Sequence, residues 1–389
     1  MNDRILTFNS GSSSLKIGLY ETDNGCAKRI GKGSIDLRRN CFSFRIEGGK
    51  QIVTAPLHEN ADDKMRLKEV FSWISKAVEI GSIKVVGHRV VHGADIFKEA
   101  CTVTDKTLDY MESLIPLDPL HQPANLKLIY LVRKLYPSLQ QTASFDTSFH
   151  QEQSDKVRRF ALPRLLHDQG VKRYGFHGLS YRYISSKLKT LPENVKTENV
   201  IVAHLGSGAS LCAMKNGKSV ETTMGFSTLD GIPMASRCGA LDAGVLIYLL
   251  RDNKHSVSDI EYMLYHSSGL LGISGISADA RDLIESKLSQ ARQALDVFNF
   301  RVAGEIARLA VALNGLDSII FTGGIGEHQP EIRAAILEQL RWLGFNIDYK
   351  ANDVNALQIT TQDSRLAACV IATDEEQCIA DDAAYLMRH

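Results

Sequence analysis

The chain is short of features that would settle its class at once. Its seven cysteines, at positions 26, 41, 101, 212, 238, 369 and 378, contain no C-x-x-C pair, and an odd set without that spacing argues against a disulfide framework or a thiolate zinc site. Reduced thiols are expected. Charge of one sign is missing too: Lys plus Arg and Asp plus Glu number 45 each, so no global field draws the protein to nucleic acid or to an anionic membrane. No apolar run approaches the length of a membrane span, and the opening MNDRILTFNS is too polar for a signal-peptide core. A cytoplasmic protein with a small-molecule partner is expected.

What is present is the composition of an ordinary globular protein, 44% hydrophobic and 23% charged over 389 residues. That length suggests two domains. Short β-branched runs such as IKVVGHRVVHG (83–93) alternate with stretches of helical period such as NLKLIYLVRKLY (125–136), the mark of an α/β chain.

Three small-residue turns punctuate it. In TFNSGSSSLKIGLYE (7–21), Leu15, Ile17 and Leu19 alternate with Lys16, Gly18 and Tyr20, so the stretch reads strand, turn, strand. It lacks the second glycine and the helix of a Walker A loop. Taken alone it is compatible with a plain hairpin and with a phosphate-binding turn. Laid without gaps over IVAHLGSGASLCAM (201–214), ILTFNSGSSSLKIG (5–18) aligns Ser14 with Ser210 and Leu15 with Leu211. Matching turns about half a chain apart suggest a duplicated fold, each half offering N–H groups and hydroxyls to an anion. The third, DSIIFTGGIGEHQPEIRAAILEQL (317–340), reads as a strand to Thr322, a glycine turn, and a helix opened by Pro330, a unit that suits a nucleotide or simple packing.

Several side chains could carry chemistry. Arg89 lies in an apolar strand between His88 and His92; a strand separates those histidines too far for one zinc ion, whereas a semi-buried arginine needs a carboxylate or phosphate partner. FDTSFH sets out Asp146 and His150, YGFHGLSYRYIS places His177 before a helix, MGFSTLDGIPMASRCGALD holds Arg237 in a small-residue loop, and Asp374, Glu375 and Glu376 follow AACVIA. Acids at a helix start complement its dipole or bind magnesium.

In combination, NSGSSSLK, GHRVVHG, PLDPLHQPANL, FDTSFH, YGFHGLSYRYIS, HLGSGASLC, SGLLGISGISADARDL, FTGGIGEH and TDEE resemble the acetate kinase family, in order and over almost the whole chain. The resemblance implies the duplicated ribonuclease H-like fold shared with actin, Hsp70 and sugar kinases, with an interdomain active-site cleft. It implies an N-terminal domain, 1–150, completed by 377–389, and a nucleotide-binding domain, 151–376. It further implies a homodimer that converts acetate and ATP to acetyl phosphate and ADP reversibly, with magnesium, or manganese in its place. Residue by residue, Asn9, Ser12, Ser14 and Lys16 match the opening phosphate-side turn, with Asn9 and Glu375 beside the metal. Arg89, Arg237, His177 and Asp146 match the catalytic set, and His121 and His204 further histidines of the site. Gly206, Ser207 and Gly208, with Asp279, Ala280, Arg281, Gly324, Ile325 and Gly326, match the nucleotide pocket. Val91, Leu120 and Phe176, with Arg89, match the acyl site.

The sequence departs from the common family pattern at Ser207 and His328, where Asn is usual, at Ala280, usually bulky, at Thr228, usually proline, and at Ala240, usually Asp. Chemistry agrees with the assignment: a carboxylate acceptor is already ionised at pH 7 and needs no base, so the task is to offset charge, and Asp146 suits an orienter of a magnesium water or of an arginine. A sugar kinase of the same superfold would need a polar acceptor pocket and a base, and an Hsp70-like ATPase an appended partner-binding domain. A non-catalytic nucleotide sensor would not need both arginines and both acids.

Overall fold

The strand β1 (Arg4–Ser10) is buried continuously from Ile5 to Asn9, which requires cover on both faces. In the computed structural model, which describes residues 3–11, 14–23, 25–36, 41–47, 52–56, 63–77, 80–251 and 255–389, the cover is different on each side. Leu6 and Phe8 cluster with Val70, Phe71 and Ile74 of the helix Asp63–Ala77 and with Val132 of the helix Gln122–Leu135. Ile5 packs with Tyr20 and Val85 against Ala380, Ala383 and Ala384 of the helix Glu375–Leu386. That last helix comes close because the sheet beneath it lacks bulk. Gly18 and Gly87 flank Thr7 in register, and a Cβ on Gly87 would stand 2.6 Å from Ile379 Cγ2. Ser144 Oγ fastens the same helix by donating to Asp382 at 2.6 Å.

The chain divides into two units, Met1–Ser148 with Asp374–His389, and Phe149–Thr373. The first holds β1, β2 (Ser14–Asp23), β3 (Cys26–Asp36), β4 (Cys41–Ile46), β5 (Ile52–Pro56), β6 (Ile83–Val90), β7 (Cys101–Thr102) and β8 (Gln140–Phe145), in the order β5-β4-β3-β2-β1-β6-β8-β7. The second holds β9 (Asn199–Leu205), β10 (Ala209–Lys215), β11 (Lys218–Thr222), β12 (Ser318–Thr322) and β13 (Ala367–Val370), in the order β11-β10-β9-β12-β13. Val200 and Val202 face Tyr181 and Ile184 of the helix Gly178–Leu188 in one core layer, and the long helix Ser289–Leu313 packs on β9, β10 and β11.

The two sheets repeat one plan. In β3-β2-β1-β6-β8 the successive pairings are antiparallel, antiparallel, parallel, parallel, and β11-β10-β9-β12-β13 follows the same sequence. The duplication inferred from the two small-residue turns is therefore present, but the ungapped alignment is not its register. The innermost pairs are Ser10 with Leu15 and Leu205 with Ala209, so the first turn is one residue longer and Leu15 corresponds to Ala209, not to Leu211. A second difference concerns the third glycine run: Gly323–His328 is itself a short helix before the helix Pro330–Gln339, because Gly323, at φ +77°, turns the chain as it leaves β12. Among the described residues no helix is long and apolar enough to cross a membrane.

Candidate active site

In the first unit, parallel neighbours β6 and β8 bring Arg89 level with Ser144, and Asp146 follows two residues on. Asp146 grips Arg89 from both oxygens, with Nε to Oδ1 at 3.0 Å and Nη2 to Oδ2 at 2.6 Å. The Arg89 side chain is 12% exposed and that of Asp146 1%, so the pair is nearly dry. Arg89 Nη1 also donates to Asn9 Oδ1 at 3.2 Å and to the Ser10 carbonyl at 3.4 Å. The Asn9 amide in turn donates to Glu375 Oε2 at 2.7 Å and Glu376 Oε1 at 2.6 Å. One hydrogen-bonded chain thus runs Asp146, Arg89, Asn9, Glu375/Glu376.

Electrostatics follow from that crowding. Burial opposes the Arg89 charge, but Asp146 and then Glu375 outweigh it and raise its pKa above the ordinary value. Burial likewise raises the pKa of Glu376; the nearby Lys16 charge opposes this, Glu375 and Asp374 add to it, and the Asn9 hydrogen bond resists it. His88 belongs to the core instead: it faces Gln141 Oε1 at 2.8 Å, lies 5.9 Å from the Phe8 ring, and is held neutral by burial, its pKa lowered to about 4.

Beyond β6 the backbone loses its ladder and is held by side chains. The Val91 N–H donates to Asn125 Oδ1 at 3.0 Å, the His92 N–H to Gln122 Oε1 at 3.2 Å, and the Gly93 N–H to Thr147 Oγ1 at 2.9 Å. These bonds fix Val91, which is buried, while Leu120 stays 39% exposed. His121 pairs through Nδ1 with Asp118 at 3.0 Å.

In the second unit, His177 takes a left-handed conformation, φ +57°, immediately before the helix Gly178–Leu188. Its Nδ1 lies 2.8 Å from Ser210 Oγ, which also bonds the Tyr181 hydroxyl at 2.5 Å. His204, on β9, is bonded through Nδ1 to Ser180 Oγ at 2.8 Å, and its ring stacks on that of His177 with centroids 4.4 Å apart. The turn Gly206–Gly208 closes over this pair: a Cβ on Gly208 would lie 3.3 Å from His177 Nε2 and 3.9 Å from Arg237 Nη1. Arg237 Nη1 donates to the Thr228 carbonyl at 3.0 Å, and the Arg237 loop is tied to the turn by the Ala235 N–H on the Ser207 carbonyl at 3.3 Å. The hydroxyl that Thr228 introduces is buried without a hydrogen-bond partner among the described residues.

The glycine helix abuts this turn, the Gly324 nitrogen being 4.0 Å from where a Gly206 Cβ would stand. A Cβ on Gly324 would meet nothing within 4 Å, and the residue is exposed, so this face of the backbone is open to a ligand. Two residues support the helix. Glu327 Oε1 accepts from the Gly323 N–H at 2.9 Å and the Thr373 N–H at 3.1 Å. Arg333, fully buried, donates to the Gly326 carbonyl at 2.9 Å and to Asn352 Oδ1 at 2.8 Å. Asp279 and Arg281 pair with one another, Nε to Oδ1 at 3.0 Å and Nη2 to Oδ2 at 2.6 Å, at the start of the helix Ala280–Glu285, with Ala280 buried between them in sequence.

The expected site residues therefore form two constellations: Asn9, Arg89, Asp146 and Glu375 in one unit, His177, His204, Gly206, Ser207, Gly208 and Arg237 in the other, with Gly324 beside the latter. Phe176 is buried next to His177. Ser12 lies outside the described residues, and Ser14 opens β2. Glu327, Arg333, Gln122, Asn125 and Ser210 were not among the expected residues. Each acts on the backbone or ring of a distant segment, and only Ser210 left a trace, in the matching turns.

Two copies of an antiparallel-then-parallel five-stranded sheet, one followed by a glycine turn at the end of β12, define the ATPase superfold of actin, Hsp70 and the sugar kinases. Within that class a profile of the Acetokinase family matches residues 4–381, and the chain belongs to that family. It is similar to the acetate kinase of Rhodopseudomonas palustris strain TIE-1, 44% identical over 389 residues, 98% of this chain and 97% of that one. It is 41% identical over 396 residues to the acetate kinase of Methylocella silvestris, with the same coverage. Among solved structures, a propionate kinase from Francisella tularensis superposes with TM-score 0.89 at 34% identity, covering 98% of each chain, and Porphyromonas gingivalis acetate kinase with 0.84 at 31% identity, covering 99% of this chain and 100% of that one. Membership makes the chain an ATP-dependent phosphotransferase with a carboxyl group as acceptor.

Proposed function

We propose that the protein transfers the γ-phosphoryl group of ATP to acetate, reversibly and by direct in-line displacement, giving acetyl phosphate and ADP. The observation that carries this is the Arg89 fork, locked by both oxygens of Asp146 at 3.0 and 2.6 Å and so preorganised to meet an anion. An acetate ion needs no base, and an Asp146 occupied on both oxygens is a positioning residue, not a proton acceptor. Ser210 Oγ holds His177 Nδ1 at 2.8 Å and the Tyr181 hydroxyl at 2.5 Å; in the tautomer where Nδ1 accepts, the His177 proton sits on Nε2, beside Gly208, as a donor to a phosphoryl oxygen. Arg237 supplies the second positive charge.

The acids at the head of the last helix fit a divalent cation: burial, with the neighbouring Glu375 and Asp374 charges adding to it, raises the Glu376 pKa. Among the described residues no three His, Cys, Asp or Glu side chains enclose a metal unaided, which accords with magnesium, a cation that shares its shell between one or two carboxylates, water and substrate phosphates. Magnesium or manganese would be held by Glu375, with Asn9 beside it, and when bound would offset the charge of the ATP phosphates.

A homodimer in the cytoplasm completes the reading. The helix Ala243–Arg251 has no buried residue although it reads AGVLIYLLR, with Ile247, Tyr248 and Leu250 all exposed, a face suited to a second copy. Sedimentation of the unaltered protein and of Tyr248→Asp tests this, the variant alone running as a monomer. The activity is tested by trapping product as the acyl hydroxamate from ATP and acetate. The likeness to a propionate kinase supports a second reading, in which propionate is the better acceptor; kcat/KM for the two acids separates them.

A further inference from the structure

We infer that Glu327 is a positioning residue that locks the glycine helix to the point where the chain leaves the second unit. The inference rests on the reading of Gly324–Gly326 as part of the nucleotide pocket. β12 and β13 pair as far as Phe321 and Val370, and one more backbone bond, from the Ile371 N–H to the Phe321 carbonyl at 3.1 Å, closes the ladder. Beyond it the chains part. Glu327 Oε1 bridges the gap, accepting from Gly323 on one side at 2.9 Å and from Thr373 on the other at 3.1 Å.

The bridge is local to Gly323, four residues away, and long-range to Thr373. Thr322, the residue before the helix, gives it no side-chain cap; the cap comes from Glu327, which folds back onto the first N–H of its own helix. Its carboxylate is 15% exposed, so these are charge-assisted bonds in a mostly dry setting. Thr373 is the last residue of the second unit, and Asp374, Glu375 and Glu376 follow directly. A shift of the glycine turn on binding nucleotide is passed, through a single oxygen atom, to Thr373, the residue immediately before the acids. Nucleotide and metal affinities are coupled by this atom.

The test compares Glu327→Ala with Glu327→Gln, which keeps an acceptor at Oε1. In Glu327→Ala, KM for ATP and the magnesium concentration for half-maximal rate both rise about tenfold, the scale of a lost hydrogen bond to a charged group, and KM for acetate stays within about twofold. Glu327→Gln stays within about threefold of the unaltered enzyme in all three, since the geometry of acceptance survives. A rise in only one of the first two quantities, or no rise, overturns the inference. Amide hydrogen exchange on the unaltered protein decides the matter independently of how the variants fold: ADP slows exchange at Gly323 and Thr373 together. If ADP binds and slows Gly323 alone, the coupling is wrong; if ADP does not bind, the reading of the glycine turn itself is wrong.

Discussion

Asp146 and Arg89 meet at the carboxyl ends of neighbouring parallel strands, with two hydrogen bonds of 3.0 and 2.6 Å between them. The pair defines a direction as well as a charge, since a guanidinium held by its Nε and Nη2 turns its Nη1 toward Asn9 and the Ser10 carbonyl. In Arg89→Ala, turnover falls roughly 10³-fold, the scale of a phosphoryl-stabilising arginine, and Arg237→Ala does the same. Arg89→Lys does not rescue it, because an ammonium cannot hold the fork. Asp146→Asn leaves a buried cation without its counter-charge, at a cost of about 3–5 kcal/mol in stability. Turnover and urea midpoints measured on the same preparations check both parts, and near-normal turnover in a folded Arg89→Ala would refute the assignment.

The acids predict a pH signature. Glu376 has a folded-state pKa above its ordinary value of 4.5, so its ionised form is disfavoured by folding. Its contribution is nil below pH 4.5, where it is protonated folded and unfolded, and becomes a penalty as pH rises through its folded pKa. Glu376→Gln therefore melts higher than the unaltered protein at pH 7, with the difference closing toward pH 4.5. Magnesium raises the melting temperature of the unaltered protein more at pH 7 than at pH 4.5. A melting series with and without magnesium reads both, and a Glu376→Gln difference that does not vary with pH would exclude this origin.

Gly208 offers a steric test. A methyl group there would press on His177 Nε2 at 3.3 Å without touching the core. Gly208→Ala lowers kcat roughly 10²-fold, as expected when a reacting group is displaced by about 1 Å, and leaves the melting temperature unchanged. A drop in stability with kcat intact would show the turn to be structural only.

The acyl site makes a graded prediction. Val91 is pinned by Asn125 through its own N–H, so it does not yield to a longer acid. Acetate exceeds propionate in kcat/KM, and propionate exceeds butyrate, each methylene costing about 1–3 kcal/mol. Val91→Ala narrows the gap between the first two. Equal kcat/KM for acetate and butyrate in the unaltered protein would rule out a small apolar pocket.

How far the sequence carried these conclusions depends on the scale of each feature. The alternation of period-2 and helical runs showed the α/β class, and the two serine and glycine turns showed the duplication, because both are local patterns. The register between the halves was hidden by a turn one residue longer in one hairpin than in the other. The pairing of Asp146 with Arg89 was one of the roles the sequence left open, an orienter of a magnesium water or of an arginine, and the 57 residues between them hid the choice. Glu327 and Arg333 were not legible: one holds backbone N–H groups 4 and 46 residues away, the other a carbonyl and an asparagine, and such bonds leave no periodicity or composition behind. Gly87 likewise carried no sign of the last helix, which packs where a Cβ on it would meet Ile379.

That helix bears on how the protein is made. Glu375 reaches Asn9 across 366 positions, whereas the second unit is one uninterrupted segment. On the ribosome, the second unit emerges whole while the first still has its Gly18–Thr7–Gly87 row uncovered, waiting for a helix not yet translated. Under the proposed reading, a nascent chain acquires its glycine turn and His177 well before it acquires its metal-side acids. Occupancy by nucleotide thus becomes available earlier in synthesis than reactivity, and a chain truncated ahead of Asp374 would hold ATP without turning it over.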